Sequence, residues 1–213
     1  MVVKETRELY ESYLNAPNSR WEYGNSVLYR MCQEQPEHKD LDIIVGKIWL
    51  IGRSYAAAIE RRKNAVGDSD DFYYDVVAPK LLEIGSELDD RLSGLRKSKG
   101  LIVEDYKEIL STHKLLTDTF YELTGLEKRS LASKYLHFHC PEKIFIYDSR
   151  ARAGIGKLVK KPDKELLKKV PDYDTEYGDF VCRMLELQKY LDEQLGVYEL
   201  PRKMDSFLLT AVS

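Results

Sequence analysis

Apolar positions recur at three- and four-residue spacing along most of the chain, which is the period of an α-helix. Residues 3–15 place Leu9, Tyr10, Tyr13 and Leu14 on one stripe, and Pro17-Asn18 ends that segment. Residues 20–34 repeat the pattern with Trp21, Val27, Leu28 and Met31, ahead of a break over Pro36 to Asp40. A third helix is expected from Leu41 to Asn64. Its first half, IIVGKIWLIG, is apolar nearly all round, as in a segment buried against several neighbours, and its second half, SYAAAIERRKN, turns amphipathic. Asp68-Ser69-Asp70 reads as a polar loop and N-cap for a fourth helix over 70–97, kinked or restarted near Pro79. After a loop at Ser98-Lys99-Gly100, a fifth helix is expected over 103–123, ended by Gly125, and a short one over 127–139, stopped by Pro141. Ile144-Phe145-Ile146-Tyr147 suits a short extended segment or a buried turn, and Asp148 can cap the helix that follows. A short helix over 163–169 lies between Pro162 and Pro171. A long one over 175–195 ends at Gly196, and PRKMDSFLL forms a final amphipathic turn. The chain lacks paired alternating runs, Asn-Gly or Asp-Gly hairpin turns, and any internal repeat. The expected fold is therefore all-α: a compact bundle of eight or nine helices in one domain over 1–213, with a boundary near 98–102 if it divides into two lobes.

Composition adds little to that picture. Hydrophobic residues at 43% and charged residues at 32% are ordinary for a globular chain. The longest greasy stretch, Leu41 to Ala58, is broken by Asp42, Lys47 and Arg53, so no membrane span is expected. The N-terminus lacks the apolar core of a signal peptide, and Cys32, Cys140 and Cys182 are scattered without CxxC spacing. Both observations point to a cytoplasmic protein with reduced thiols.

Charge is uneven. The whole chain carries −3, yet between Lys143 and Lys169 nine Lys or Arg face three Asp or Glu, a net of +6 for that window. A basic segment in an acidic protein either steers an anionic partner such as DNA or forms a solvated face.

Two stretches contain residues with chemical potential. In Ile51 to Arg62, Arg53 and Glu60 stand seven apart on what the pattern reads as one helical face. An arginine beside apolar positions needs a carboxylate, a phosphate or water. In Ser130 to Arg150, Lys134 lies on the expected helix that carries Leu131, Leu136 and Phe138. Asp148 follows IFIY at a helix start, where burial raises a carboxyl pKa and the helix N-terminus lowers it. An aspartate of this kind beside a lysine is a candidate acid–base or charge-stabilising site, with His137 and Tyr147 in support. The structural alternative is an N-cap paired to Lys134 or Arg150. His137 and His139 sit two apart on a helix and point in different directions, so neither a metal nor another cofactor is expected.

The stretch SLASKYLHFHCPEKIFIYDSR resembles the segment of helix-hairpin-helix DNA glycosylases that joins the second hairpin helix to the catalytic aspartate. The resemblance covers about 30 residues (123–152) and implies a glycosylase-like C-terminal half. It also implies Asp148 as the catalytic aspartate, Lys134 as the amine nucleophile of bifunctional members, and Leu123-Thr124-Gly125-Leu126 as the hairpin. The chain departs from that pattern: Gly125-Leu126-Glu127 lacks the second glycine, Lys134 and Asp148 are closer in sequence, and there is no iron–sulfur cysteine set. Downstream, Gly154-Ile155-Gly156-Lys157 reads either as a turn whose amides cradle a phosphate or as an ordinary glycine turn. Arg150, Arg152, Lys157, Lys160 and Lys161 complete the candidate nucleic-acid contacts.

Three functional readings follow. The first is a DNA glycosylase or lyase using Asp148 and Lys134. The second is a non-catalytic nucleic-acid-binding protein using the basic segment. The third is a helical protein-interaction or self-assembly module whose basic strip meets an acidic partner.

Overall fold

A computed structural model describes residues 1–16, 21–61, 72–97 and 103–212. The described residues are mostly helical. Their only extended pairing is an isolated antiparallel bridge between Val2 and Val159. They form ten α-helices: α1 (Thr6–Leu14), α2 (Glu22–Glu34), α3 (Leu41–Ser54), α4 (Ala78–Glu83), α5 (Gly85–Lys97), α6 (Val103–Thr124), α7 (Arg129–His139), α8 (Ser149–Leu158), α9 (Thr175–Leu195) and α10 (Pro201–Thr210). A π-helical turn (Tyr73–Val77) precedes α4, and a 3₁₀ turn occupies Glu165–Lys169. The loops expected at 68–70 and 98–100 and the boundary near 98–102 lie outside the described residues.

The helix expected over 41–64 ends ten residues early, at Ser54. The chain turns back on the helix end. Ala57 N donates to Gly52 O, Ala56 takes the left-handed conformation (φ 51°), and a Cβ on Gly52 would come within 3.2 Å of Ala58 Cα. The segment 70–97 is divided as well. Pro79 has no N–H to continue a helical ladder, so the π turn ends where α4 begins. A second break at Ile84 lets Gly85 lie where a Cβ would meet His38 O at 2.6 Å. These divisions raise the count to ten from the eight or nine expected.

Helix α7 is the hub and packs against α2, α3 and α6. Residues 131–139 are all buried, so its polar side chains need partners inside the protein. Ser133 Oγ accepts from Tyr147 N (3.0 Å) and lies 3.2 Å from Tyr147 O. Tyr135 O–H donates to His38 Nε2 (2.8 Å), and His38 Nδ1 donates to Asp89 (2.6 Å). Every α-helix contributes apolar side chains to one buried cluster running from Tyr10 to Leu208. Helix α8 is held between α9 and α10, and α1 packs on α10, so the C-terminal helix closes over Asp148 and its surroundings. The three cysteines are buried free thiols, and no described helix is long and apolar enough to cross a membrane.

Candidate active site

The IFIY run passes through the core without regular secondary structure. Ile144, Phe145 and Ile146 are at most 2% exposed, and the run delivers Asp148 to the start of α8. Asp148 caps that helix: Oδ1 accepts from Arg150 N (3.0 Å) and Ala151 N (2.9 Å). Its other oxygen, Oδ2, accepts from Lys134 Nζ at 3.1 Å. The two residues, 14 apart in sequence, therefore meet, and the cap and ion-pair readings hold together. Lys134 is the more buried partner, with its side chain 3% exposed against 29% for Asp148. Its ammonium group is also shared with Ser130 Oγ (3.0 Å) and the Tyr55 carbonyl (3.5 Å), and it lies 5.5 Å from the Tyr55 ring centroid. Burial alone would raise the Asp148 pKa, but the Lys134 charge and the two helix-start amides hold it below the ordinary carboxylate value.

The pair opens onto a groove of about 1690 Å³. Helix α10 contributes Arg202 and Asp205, which pair at 3.3 Å, and the Arg202 guanidinium lies 5.6 Å from the same Tyr55 ring. Tyr55 is therefore a platform for two cations, and its hydroxyl is fixed by Asn25 Oδ1 at 2.5 Å. At one end of the groove, Arg129 is chelated by Asp174 (2.7 and 2.8 Å) and also meets Glu127 and Glu176. At the mouth, Trp21 and Tyr23 are 76% and 78% exposed.

The supporting residues have structural roles. Arg53 pairs with Glu60 at 2.6 Å, and Glu60 also accepts from the Tyr73 hydroxyl. The pair is not on one helical face, because Glu60 lies in the turn beyond α3. His137 is fully buried: Nδ1 donates to Ile144 O (2.8 Å) and Nε2 accepts from Tyr29 O–H (2.7 Å). Burial pushes its pKa down to about 4, so it is neutral at physiological pH. Tyr147 donates to Glu176 at 2.6 Å.

Several predicted nucleic-acid contacts need correction. Gly154 and Gly156 lie inside α8 rather than in a turn, so their amides belong to the helical ladder and cannot cradle a phosphate. Gly154 instead allows close packing of α10, since a Cβ there would sit 2.6 Å from Leu208 O. Within the basic segment, Lys143 is buried against Asp105 (2.5 Å) and contributes nothing to the surface charge. Arg152 pairs with Glu176, Lys164 with Asp179 and Lys168 with Glu165. Arg150, Lys157, Lys160 and Lys161 are exposed, with Arg150 at the groove and the lysines at or beyond the opposite end of α8. Lys157 and Lys160 direct their ammonium groups to the carbonyls of Ala211 and Gly156.

Tyr55, Arg202 and Asp205 were not anticipated as site residues. They come from the end of α3 and from α10, and only the i,i+3 spacing of Arg202 and Asp205 hinted at a pair. Among the described residues, no group of three or more His, Cys, Asp or Glu side chains is arranged to hold a metal ion. The chain matches no protein-family model, no curated protein and no solved structure.

Proposed function

We propose that this protein acts on DNA as a base-excision enzyme, cleaving the bond between a base and its sugar at Asp148 and Lys134. The observation that supports this reading is a buried amine 3.1 Å from a carboxylate on the floor of an open groove. In it, Asp148 stays ionised at neutral pH and opposes the positive charge that develops on the sugar as the base departs. Lys134, entering as the neutral amine once its proton has passed to solvent, forms a bond to C1′ while the C1′–base bond breaks. Arg150, Arg202 and Lys203 line the groove and supply phosphate contacts, and Lys157 near the far end of α8, with Lys160 and Lys161 just beyond it, adds further basic charge. A base must leave the stack to be cut, and Trp21 and Tyr23 offer flat exposed faces on which an unstacked base can rest.

A second reading keeps the site non-catalytic. The groove also carries Glu22, Glu127, Glu176 and Glu199, and its mouth exposes Leu14 with the two aromatics. Such a mixed, partly apolar surface also suits a protein partner.

Incubation of the parent, Asp148→Asn and Lys134→Gln with a panel of lesion-bearing duplexes separates the readings. Release of free base by the parent, reduced by orders of magnitude in both variants while they stay folded and retain DNA, supports excision. Retention of DNA without any released base leaves binding alone. Neither retention nor release favours the protein-partner reading.

A further inference from the structure

We propose that Asp205 is the acid that protonates the departing base, and that the groove is therefore built for uncharged bases that leave poorly without a proton. This rests on the excision reading above and assigns a second carboxylate to it. Asp205 lines the same groove as Asp148 but is only 6% exposed. Arg202 approaches one of its oxygens at 3.3 Å, and the Arg202 guanidinium and the Lys134 ammonium lie 5.6 and 5.5 Å from one Tyr55 ring. Tyr55 thus ties the Arg202–Asp205 pair to the Lys134–Asp148 pair.

The two carboxylates have opposite surroundings. Asp148 accepts two amides and an ammonium. Asp205 faces Arg202 on its own helix, Asp148 and Arg150 from the start of α8, Lys134 from α7, Tyr29 from α2 and Tyr55 from the end of α3. Burial, reinforced by the Asp148 charge, outweighs the three cations and pushes the Asp205 pKa up to about 6, while Asp148 stays below the ordinary value. Neighbouring carboxyls driven apart in this way divide into an acid and a permanently ionised partner.

The step balances. The C1′–base bond breaks with its electron pair passing to the base, which takes the Asp205 proton. The neutral Lys134 amine donates its lone pair to C1′. The new C1′–N⁺ centre returns a proton to the Asp205 carboxylate, restoring the acid.

Single-turnover release is measured for the parent, Asp205→Asn and Asp205→Glu on duplexes carrying either N7-methylguanine, a cationic base that leaves without a proton, or hypoxanthine, a neutral one. The proposal expects Asp205→Asn to slow hypoxanthine release by about 10²–10⁴-fold, the usual contribution of a positioned acid, with N7-methylguanine release within a few-fold of the parent. Asp205→Glu should recover much of the loss. Both bases need the Lys134 amine but only hypoxanthine needs the acid, so the parent's hypoxanthine rate relative to its N7-methylguanine rate should fall as pH rises above about 6, and the Asn variant should lose that dependence. Equal effects on both bases, or none on either, overturn the Asp205 role while leaving excision intact. A parent that releases neither base overturns the excision reading, and this proposal with it. Circular dichroism of each variant establishes that a loss of rate is not a loss of fold. If Asp205→Asn does not fold, the test passes to the Glu variant, where a preserved pH limb supports the role and an unchanged rate with no limb overturns it.

Discussion

Replacing Asp148 by asparagine separates the two interactions its carboxylate makes. Asparagine keeps the size of the side chain and caps a helix about as well as aspartate, so the bonds from Arg150 N and Ala151 N should survive. The charge opposite Lys134 does not. The ammonium group, on a side chain 3% exposed, is left with two neutral acceptors, Ser130 Oγ at 3.0 Å and the Tyr55 carbonyl at 3.5 Å. Removing one partner of a fully buried ion pair costs about 3–5 kcal/mol. Because the Asp148 side chain is 29% exposed, water already screens the pair, and a cost of about 2–3 kcal/mol is expected. For a chain of this size that corresponds to a melting temperature lower by roughly 4–12 °C. Urea unfolding at pH 7, followed by far-UV circular dichroism, measures the loss. Lys134→Met removes the stranded cation, so the double variant should be more stable than the two single losses predict, by about 1–3 kcal/mol. The fold holds the Asp148 pKa below its ordinary 3.8, so its stabilisation is present above that value. It is lost as pH falls through the folded-state value, and the gap between parent and variant should close in acid. A variant that unfolds at the parent's urea midpoint, or strictly additive losses, would refute the buried pair.

The glycines of α8 offer an opposed pair of tests. Gly154→Ala drives a Cβ to 2.6 Å from Leu208 O and should cost about 1–3 kcal/mol, whereas Gly156→Ala meets nothing within 4 Å and should gain about 0.5–1 kcal/mol. Differential scanning calorimetry should show shifts of opposite sign. Lys143→Met removes a buried charged hydrogen bond to Asp105 and should cost about 1–3 kcal/mol in urea titration, which an exposed lysine would not. Reversing Lys157, Lys160 and Lys161 to Glu should change stability by only a few tenths of a kcal/mol. If α8 holds DNA, the same triple variant should weaken binding and flatten its salt dependence in fluorescence anisotropy.

Long elements with clear ends were legible in the sequence. Helices α6 and α9 stop beside Gly125 and Gly196, and both glycines take φ 66°, a backbone conformation that side chains disfavour. Helix α3 was overrun because SYAAAIERRKN carries a sound helical pattern. What ends the helix is a tertiary contact, the return of Ala57 and Ala58 onto Gly52, which local spacing does not encode. The same division runs through the site. Lys134 and Asp148 could be paired in advance because both lie in one stretch with a readable apolar run and cap. Tyr55, Arg202 and Asp205 reach them only through the packing of α3 and α10 around α7 and α8, from more than 50 residues away in either direction. Gly154-Ile155-Gly156-Lys157 misled for the reverse reason: two glycines read as a turn, but one of them serves helix packing.

Trapping the covalent intermediate tests the assignment of excision to Lys134 and Asp148 most directly. When the C1′–O4′ bond of the amine adduct breaks, O4′ takes up the proton that the nitrogen loses and C1′ becomes an imine carbon, and borohydride present during turnover reduces that imine to a stable protein–DNA adduct. Parent protein and lesion-bearing duplex should yield one such adduct, located by peptide mass spectrometry at Lys134, absent in Lys134→Gln and strongly reduced in Asp148→Asn. An adduct that survives Lys134→Gln, or base release with no adduct from the parent, would contradict the account.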